Sequence, residues 1–296
     1  EDFDVRVNRG DESIYIMYGA TDAFLYYLAM QESSSGAMMT IDEKYRPEML
    51  VFLPQQDTPI ITQSKAISVV GTALYNHTEG YGSYLIPAVL MVIIFQTLLM
   101  VIGMISGDEK NTGALSIYAG REKSFFPVSR IVLGKTFVYC SLYFIFSLFL
   151  LGLMPVLFSL PDIGHKYEIT MLMIPYLLAS SFLGLAASVF YTDSESPLLM
   201  IAFFSVGLIF LSGVSYPLEL MPWYWKVAHF IIPAAPGTLA FVKINSMGAS
   251  MADIRQEYIT LWLQCIVYFI FAVMAYRYNI KKCVSQKARK EIGPFM

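Results

Sequence analysis

YLIPAVLMVIIFQTLLMVIGMI, residues 84 to 105, carries no charged side chain, and SGDEKNTGALSIYAGREKSFFPVSR, residues 106 to 130, follows it with most of the local charge. A further stretch from Phe137 to Leu160 is uncharged again. About 20 consecutive apolar residues cross a bilayer as a helix, because a helix satisfies its own backbone where no water can. Two such runs joined by a charged turn form a helical hairpin whose ends lie on the same side of the membrane.

Outward from this hairpin, three more apolar runs follow: Ile169–Tyr191, Leu198–Tyr216 and Tyr258–Tyr278. Membrane helices are expected at about 84–105, 131–160, 169–191, 197–216 and 258–278. Composition agrees. The 296 residues are 56% hydrophobic and 15% charged, with a mean hydropathy of +0.55. Soluble domains carry about 25% charged residues. This is an integral membrane protein.

Charge then orients it. The connection Ser106–Thr136 has 5 basic and 3 acidic residues, and the tail from Arg277 has 6 basic residues against Glu291 alone. Basic loops stay in the cytoplasm. Five spans place both of these segments inside, together with the acidic TDSESP at 192–197. Residues 1–82, with 12 acidic and 5 basic residues, then lie outside with the segment 217–257. Translocating residues 1–82 needs a preceding membrane signal, so a sixth span upstream of Glu1 is expected.

Residues 1–82 read as a small mixed α/β extracytoplasmic domain, incomplete at its start. SIYIMYG at 13–19 alternates like a short strand. Thr21 or Asp22 is placed to cap a helix through AFLYYLAM. MLVFLP is a second strand stopped by Pro54, and Lys65–Leu74 is helical in pattern. Asn76 in NHT matches a glycosylation acceptor and equally a plain turn.

Three patches resemble the transmembrane subunits of ABC-2 type exporters. ALYNHTEGYGSYLIPAVLMVIIFQTLLM is similar to that family's approach to its second helix. GDEKNTGALSIYAGREKSFFPVSRIVLGK resembles its cytoplasmic turn, in the charged pair Glu109 and Lys110, the Gly113-Ala114-Leu115 step, Pro127 and the closing Gly134-Lys135. Ala114 stands where the family usually has Thr. LSGVSYPLELMPWYWKVAHFIIPAAPGTLAF resembles the external segment before the last helix. The likeness covers residues 72–296. It implies a mainly α-helical fold of six spans, five of them in this sequence and the first absent. It further implies a domain over 83–296 with a cytoplasmic coupling turn at 106–130 and an external re-entrant segment at 217–257.

The turn reads as one short amphipathic helix from Glu109 to Ala119, capped by Asp108 and stopped by Gly120. A plain capped loop between two spans fits the same residues. The resemblance implies that Glu109, Lys110, Gly113, Leu115 and Tyr118 couple the spans to an ATP-binding subunit. In the external segment, Pro217, Pro222, Pro233 and Pro236 interrupt the helix, since each lacks a backbone donor. Trp223 sits among aromatics suited to the membrane interface. A broken pair of short helices is expected, acting as an external gate by the family's pattern and as an interfacial loop by composition alone. Ser180, Gly184 and Ser188 fall four apart and form a small-residue packing stripe. Gln96 and Gln264 are the mid-span polar residues, fitted to bonds between helices.

Other chemistry is not in view. The sequence has no GxxxxGK[ST], HExxH or GxSxG motif. His77, His165 and His229 are far apart, and Cys140, Cys265 and Cys283 show no metal or disulfide spacing. The five runs lack the ionisable groups of an ion-coupled carrier, Arg277 at one end excepted. The expectation is a multi-pass subunit of the bacterial cytoplasmic (inner) membrane that catalyses nothing and binds no cofactor or metal. ATP is used by its partner. Its partners are the ABC ATP-binding subunit, a second permease subunit (as homo- or heterodimer) and membrane lipid, with no nucleic acid. Two rivals are a membrane sensor or assembly factor with a partner-binding outer domain, and a membrane-bound lipid-acting enzyme.

Overall fold

A computed structural model describes residues 36, 81–121, 124–158, 163–191, 193–214, 218 and 221–292. All but Gly36 belong to Thr78–Met296, the second of the two units into which the chain divides. The mixed α/β domain expected over 1–82 lies outside the described residues, apart from the start of the first helix.

No strand occurs among the described residues. Helix α1 is Tyr81–Asn111, followed by a 3-10 turn at Ala114–Tyr118. Helix α2 runs over Phe125–Leu157 with a π-helical stretch at Phe149–Leu153. Next come α3 (Lys166–Ala187), α4 (Ser196–Leu211), α5 (Trp223–Ile231), α6 (Ala234–Met247) and α7 (Arg255–Ile292). Among the described residues, four helices are long and apolar enough to cross a membrane, or five if the bent pair α5–α6 counts as one span.

The boundaries differ from those of the apolar runs for local reasons. Helix α1 continues six residues past Ile105, through Asp108, Glu109 and Lys110. Glu and Lys are good helix formers, so the helix outlasts the apolar stretch. Helix α2 starts at Phe125, inside the expected turn 106–130. Ser124 precedes it in extended backbone, and Pro127 falls in the first turn, where its missing N–H costs nothing. The expected fourth span, 197–216, is corrected to a helix of 16 residues. At the helical rise its length is about 24 Å, short of the ~30 Å hydrocarbon core. It ends at Leu211, with Ser212 as C-cap and Gly213 at φ 85° just beyond. Helix α7 extends the last span in both directions and carries it into the basic tail.

Helix α3 is the hub. Of its membrane window 67% is buried, against 22% for α2, whose Phe137, Val138 and Ile145 face outward. Tyr176 of α3 is fully buried, and its hydroxyl donates to the Met91 carbonyl of α1 at 2.7 Å. Phe182 of α3 meets Phe269 of α7 edge to face, with ring centroids 5.2 Å apart. Helix α6 is buried along nearly its whole length. Its Gly237 lies under the Tyr176 ring, where a Cβ would come within 2.3 Å of that ring.

The small-residue stripe on α3 is an internal seam. Ser180 and Ser188 are fully buried, and a Cβ on Gly184 would stand 3.1 Å from Ile102 of α1. The Ser188 hydroxyl accepts from Asn279 Nδ2 of α7 at 3.0 Å.

Candidate functional site

Two irregular places interrupt this bundle, and the sequence singles out both. The first is the turn after α1. Thr112 N–H donates to the Asp108 carbonyl at 2.9 Å, closing the last turn of α1. Gly113 then takes φ 70°, a left-handed conformation that costs a residue without Cβ nothing. The 3-10 turn Ala114–Tyr118 follows, and Gly120 at φ 85° ends it. The single helix expected over Glu109–Ala119 is therefore corrected to two pieces. Asp108 lies inside α1 and caps nothing with its side chain. Gly113 makes the division, and the six residues between it and Gly120 hold one short 3-10 turn.

This division decides where the side chains go. Leu115 is 2% exposed and packs into the core, whereas Ile117 is 80% exposed. Tyr118 is half-buried, with the Arg121 guanidinium 5.8 Å from its ring centroid. Glu109 points inward: its carboxylate pairs with Lys135 of α2 and accepts from Tyr276 Oη of α7 at 2.7 Å. Lys110 reaches the end of α3, donating to the Ser188 carbonyl and to that of Tyr191 at 2.7 Å. These carbonyls lie at the two ends of the 3-10 turn that closes α3. The Gly113 carbonyl faces Cys283 Sγ of α7 at 3.7 Å. Glu109, Lys110 and Leu115 thus fasten the turn to α2, α3 and α7, and Ile117 is the apolar side chain it presents outward. Lys135 was marked by its place in the closing Gly-Lys. Tyr276 and Asn279 gave no signal beyond being polar-tipped residues in a membrane helix.

The second irregular place is the break between α5 and α6, two helices inclined at 86°. Pro222 is the N-cap of α5, and Trp223, Tyr224 and Trp225 at its start are exposed. At the break, Ile232 is extended (φ −95°, ψ 118°) because Pro233 excludes the helical conformation from the residue before it. Pro236 sits in the buried first turn of α6. Pro217 lies outside the described residues. The carbonyls at the end of α5 are met by α7: Gln264 Nε2 donates to Phe230 O at 2.8 Å, and Tyr268 Oη donates to Ile231 O. The buried His229 ring reaches the Leu211 carbonyl at the end of α4 through Nδ1, at 2.8 Å. Gln264 thus bonds between helices, as its mid-span place suggests, and its target is the break itself. Gln96 is half-buried on α1.

Among the described residues no group of three His, Cys, Asp or Glu side chains is placed to hold a metal ion. What the residues form is a rigid turn with one apolar knob at the end of the bundle, and a covered helix break deeper within it. A family model described as ABC-2 family transporter protein matches residues 5–274. No curated protein and no solved structure matches the chain. With several apolar helices of membrane length and a family match over most of its residues, the chain belongs to the ABC-2 family of transporters, as a multi-pass membrane component of an ABC transporter.

Proposed function

We propose that this chain is the permease subunit of an ATP-driven exporter, coupled to a separate ATP-binding subunit through the turn at 106–130. ATP binding and hydrolysis on the cytoplasmic side push on this turn, and the spans rock. Ile117 seats in a groove of the ATP-binding subunit. Glu109, Lys110, Gly113, Leu115 and Tyr118 transmit the movement, each being fastened to the bundle or forming the joint itself. The broken segment, with Pro217, Pro222, Trp223, Pro233 and Pro236, closes the external end of the path. A second permease subunit, identical or related, completes the path in the bacterial inner membrane. Lipid-like or amphipathic substrates suit its apolar interior.

The observation that carries the reading is the contrast at the turn. Ile117 is 80% exposed while Leu115, two residues earlier, is 2% exposed. An apolar knob on a turn held by an ion pair and several hydrogen bonds is suited to receive a push without absorbing it. The test is co-purification of the ATP-binding subunit with the tagged chain from its native membrane. Ile117→Asp is expected to lose the subunit with an unchanged melting temperature. Leu115→Asp buries a charge and reports on folding instead. Full retention of the subunit by Ile117→Asp, with ATP-dependent transport intact, overturns the proposal. Substrate uptake into inside-out vesicles on adding ATP is the expected sign of export.

A further inference from the structure

The two irregular places are fastened to the same face of the same helix. On α7, Gln264, Tyr268, Ala272, Tyr276, Asn279 and Cys283 recur at spacings of four and three, and all are buried. Such spacings put them on a single stripe. The first two members bond the end carbonyls of α5 at the break. Of the last three, Tyr276 and Cys283 bond Glu109 Oε2 and the Gly113 carbonyl at the turn, and Asn279 bonds Ser188 Oγ at the end of α3. Ala272 between them is fully buried and carries no polar group. At ~1.5 Å per residue, Gln264 and Tyr276 are about 18 Å apart along the axis, with no helix break between them.

We infer that α7 is the rod that joins the turn to the break. Tyr276 is the positioning residue for the turn, and Gln264 and Tyr268 are positioning residues for the broken helix. A displacement of the turn shifts α7 through the Tyr276–Glu109 bond. The shift is delivered to the Phe230 and Ile231 carbonyls, which α7 caps. At the break Pro233 has no N–H to give, while Ile232 N–H bonds back to the Ala228 carbonyl at 3.2 Å and the Ile232 carbonyl accepts from Ala235 N–H at 3.0 Å, so the Phe230 and Ile231 carbonyls are the ones that α7 meets. The role of this linkage in transport rests on the proposed function. The linkage itself is testable in the chain alone.

Thiol labelling reads both ends. Native Cys283 reports on the turn, and Ala235→Cys, fully buried just past Pro233, reports on the break. The purified full chain is treated with N-ethylmaleimide, and the labelled peptides are separated from those of Cys140 and Cys265 by mass spectrometry. Tyr276→Phe is expected to raise labelling at position 235 by about fivefold or more, the low end of usual coupling between sites. Gln264→Leu with Tyr268→Phe is expected to raise labelling of Cys283 by a similar factor, because coupling between two sites is reciprocal. Tyr268→Phe alone serves where the double variant does not purify. Phe269→Leu, which removes packing from α7 between the two sets of bonds, is the control and should leave both rates within twofold. The inference fails if each variant loosens only its own end, or if Phe269→Leu loosens both ends as strongly. A chain that never retains an ATP-binding subunit fails the docking reading instead, and these labelling ratios still decide the linkage.

Discussion

Glu109 and Lys135 are 21% and 18% exposed, and Tyr276 donates to the second carboxylate oxygen. Removing Glu109 therefore leaves a mostly buried ammonium and a buried phenol without their acceptor. Breaking a fully buried pair costs about 3–5 kcal/mol, and an exposed pair is worth under ~1 kcal/mol. For groups about four-fifths buried the loss should fall between these, at about 2 kcal/mol for the ion pair. The Tyr276 bond adds about 1 kcal/mol. Glu109→Leu is thus expected to lower stability by about 3 kcal/mol and Lys135→Met by about 2 kcal/mol, the latter leaving Tyr276 to hold the carboxylate. The double variant removes both charges and should cost about 3 kcal/mol rather than the sum, a coupling energy of about 2 kcal/mol. For a unit of this size each kcal/mol moves the melting point by roughly 2–4 °C. Thermal unfolding of the four proteins in one detergent closes the cycle. Equal and additive losses would show that the two charges do not act as a pair, and the rigidity argued for the turn would go with them.

Two further outcomes follow from local geometry. A Cβ on Gly107 would lie 2.3 Å from the Asp193 carbonyl oxygen, whereas one on Gly134 meets nothing within 4 Å. Gly107→Ala should therefore cost about 1–3 kcal/mol, and Gly134→Ala should gain roughly 0.5–1 kcal/mol in the same melting assay; equal effects would contradict the close approach of α1 to the 193–195 bend. The Asp193 carboxyl is held below the ordinary carboxylate range by the Ser196 hydroxyl and then by the Ser196 backbone N–H. A lowered folded pKa stabilises above the unfolded value and is lost as pH falls through the folded one. Amide exchange at Ser196, corrected for its intrinsic rate, should stay flat from pH 8 to 5 and rise only below the usual carboxylate pKa of about 4. Asp193→Ala should exchange fast at every pH; a rise in the wild type already near pH 6 would refute the assignment.

The spans and the break were legible for one reason. A lipid solvent leaves few ways to satisfy a backbone, so uncharged length and proline position say much. Pro233 in a buried apolar stretch announces an interruption whatever surrounds it. The limits of helices were less legible, because apolar length measures the membrane and not the helix. Asp108, Glu109 and Lys110 end the apolar run of α1 while continuing its helix. The facing of the turn was not legible at all. An α-helical reading puts Ala114, Leu115, Ile117 and Tyr118 together on one apolar face. The left-handed Gly113 resets the phase, so that Leu115 enters the core and Ile117 leaves it. Periodicity cannot foresee such a reset, since glycine permits both conformations equally.

The polar residues of the interior follow a rule that joins these places. In hydrocarbon an open carbonyl costs far more than in water, so each irregularity in a membrane helix needs a donor brought to it. Gln264 and Tyr268 stand at the end of α5, Lys110 at the end of α3, and His229 at the end of α4. Gln264 and Tyr268 come from α7, which runs on without a break beyond the point they serve, whereas Lys110 stands in the last turn of α1 and His229 on the short α5. At the break, an uninterrupted helix thus holds the end of an interrupted one. On the proposed linkage, load applied at the turn that carries Ile117 would be transferred through α7 to the end of α5. A substitution that removes one donor, such as Tyr268→Phe, leaves both helices formed and weakens only the transfer. Helical content by circular dichroism should then be unchanged in that variant while the break becomes reactive. A matching loss of helix would mean that the donor held α5 together and linked nothing.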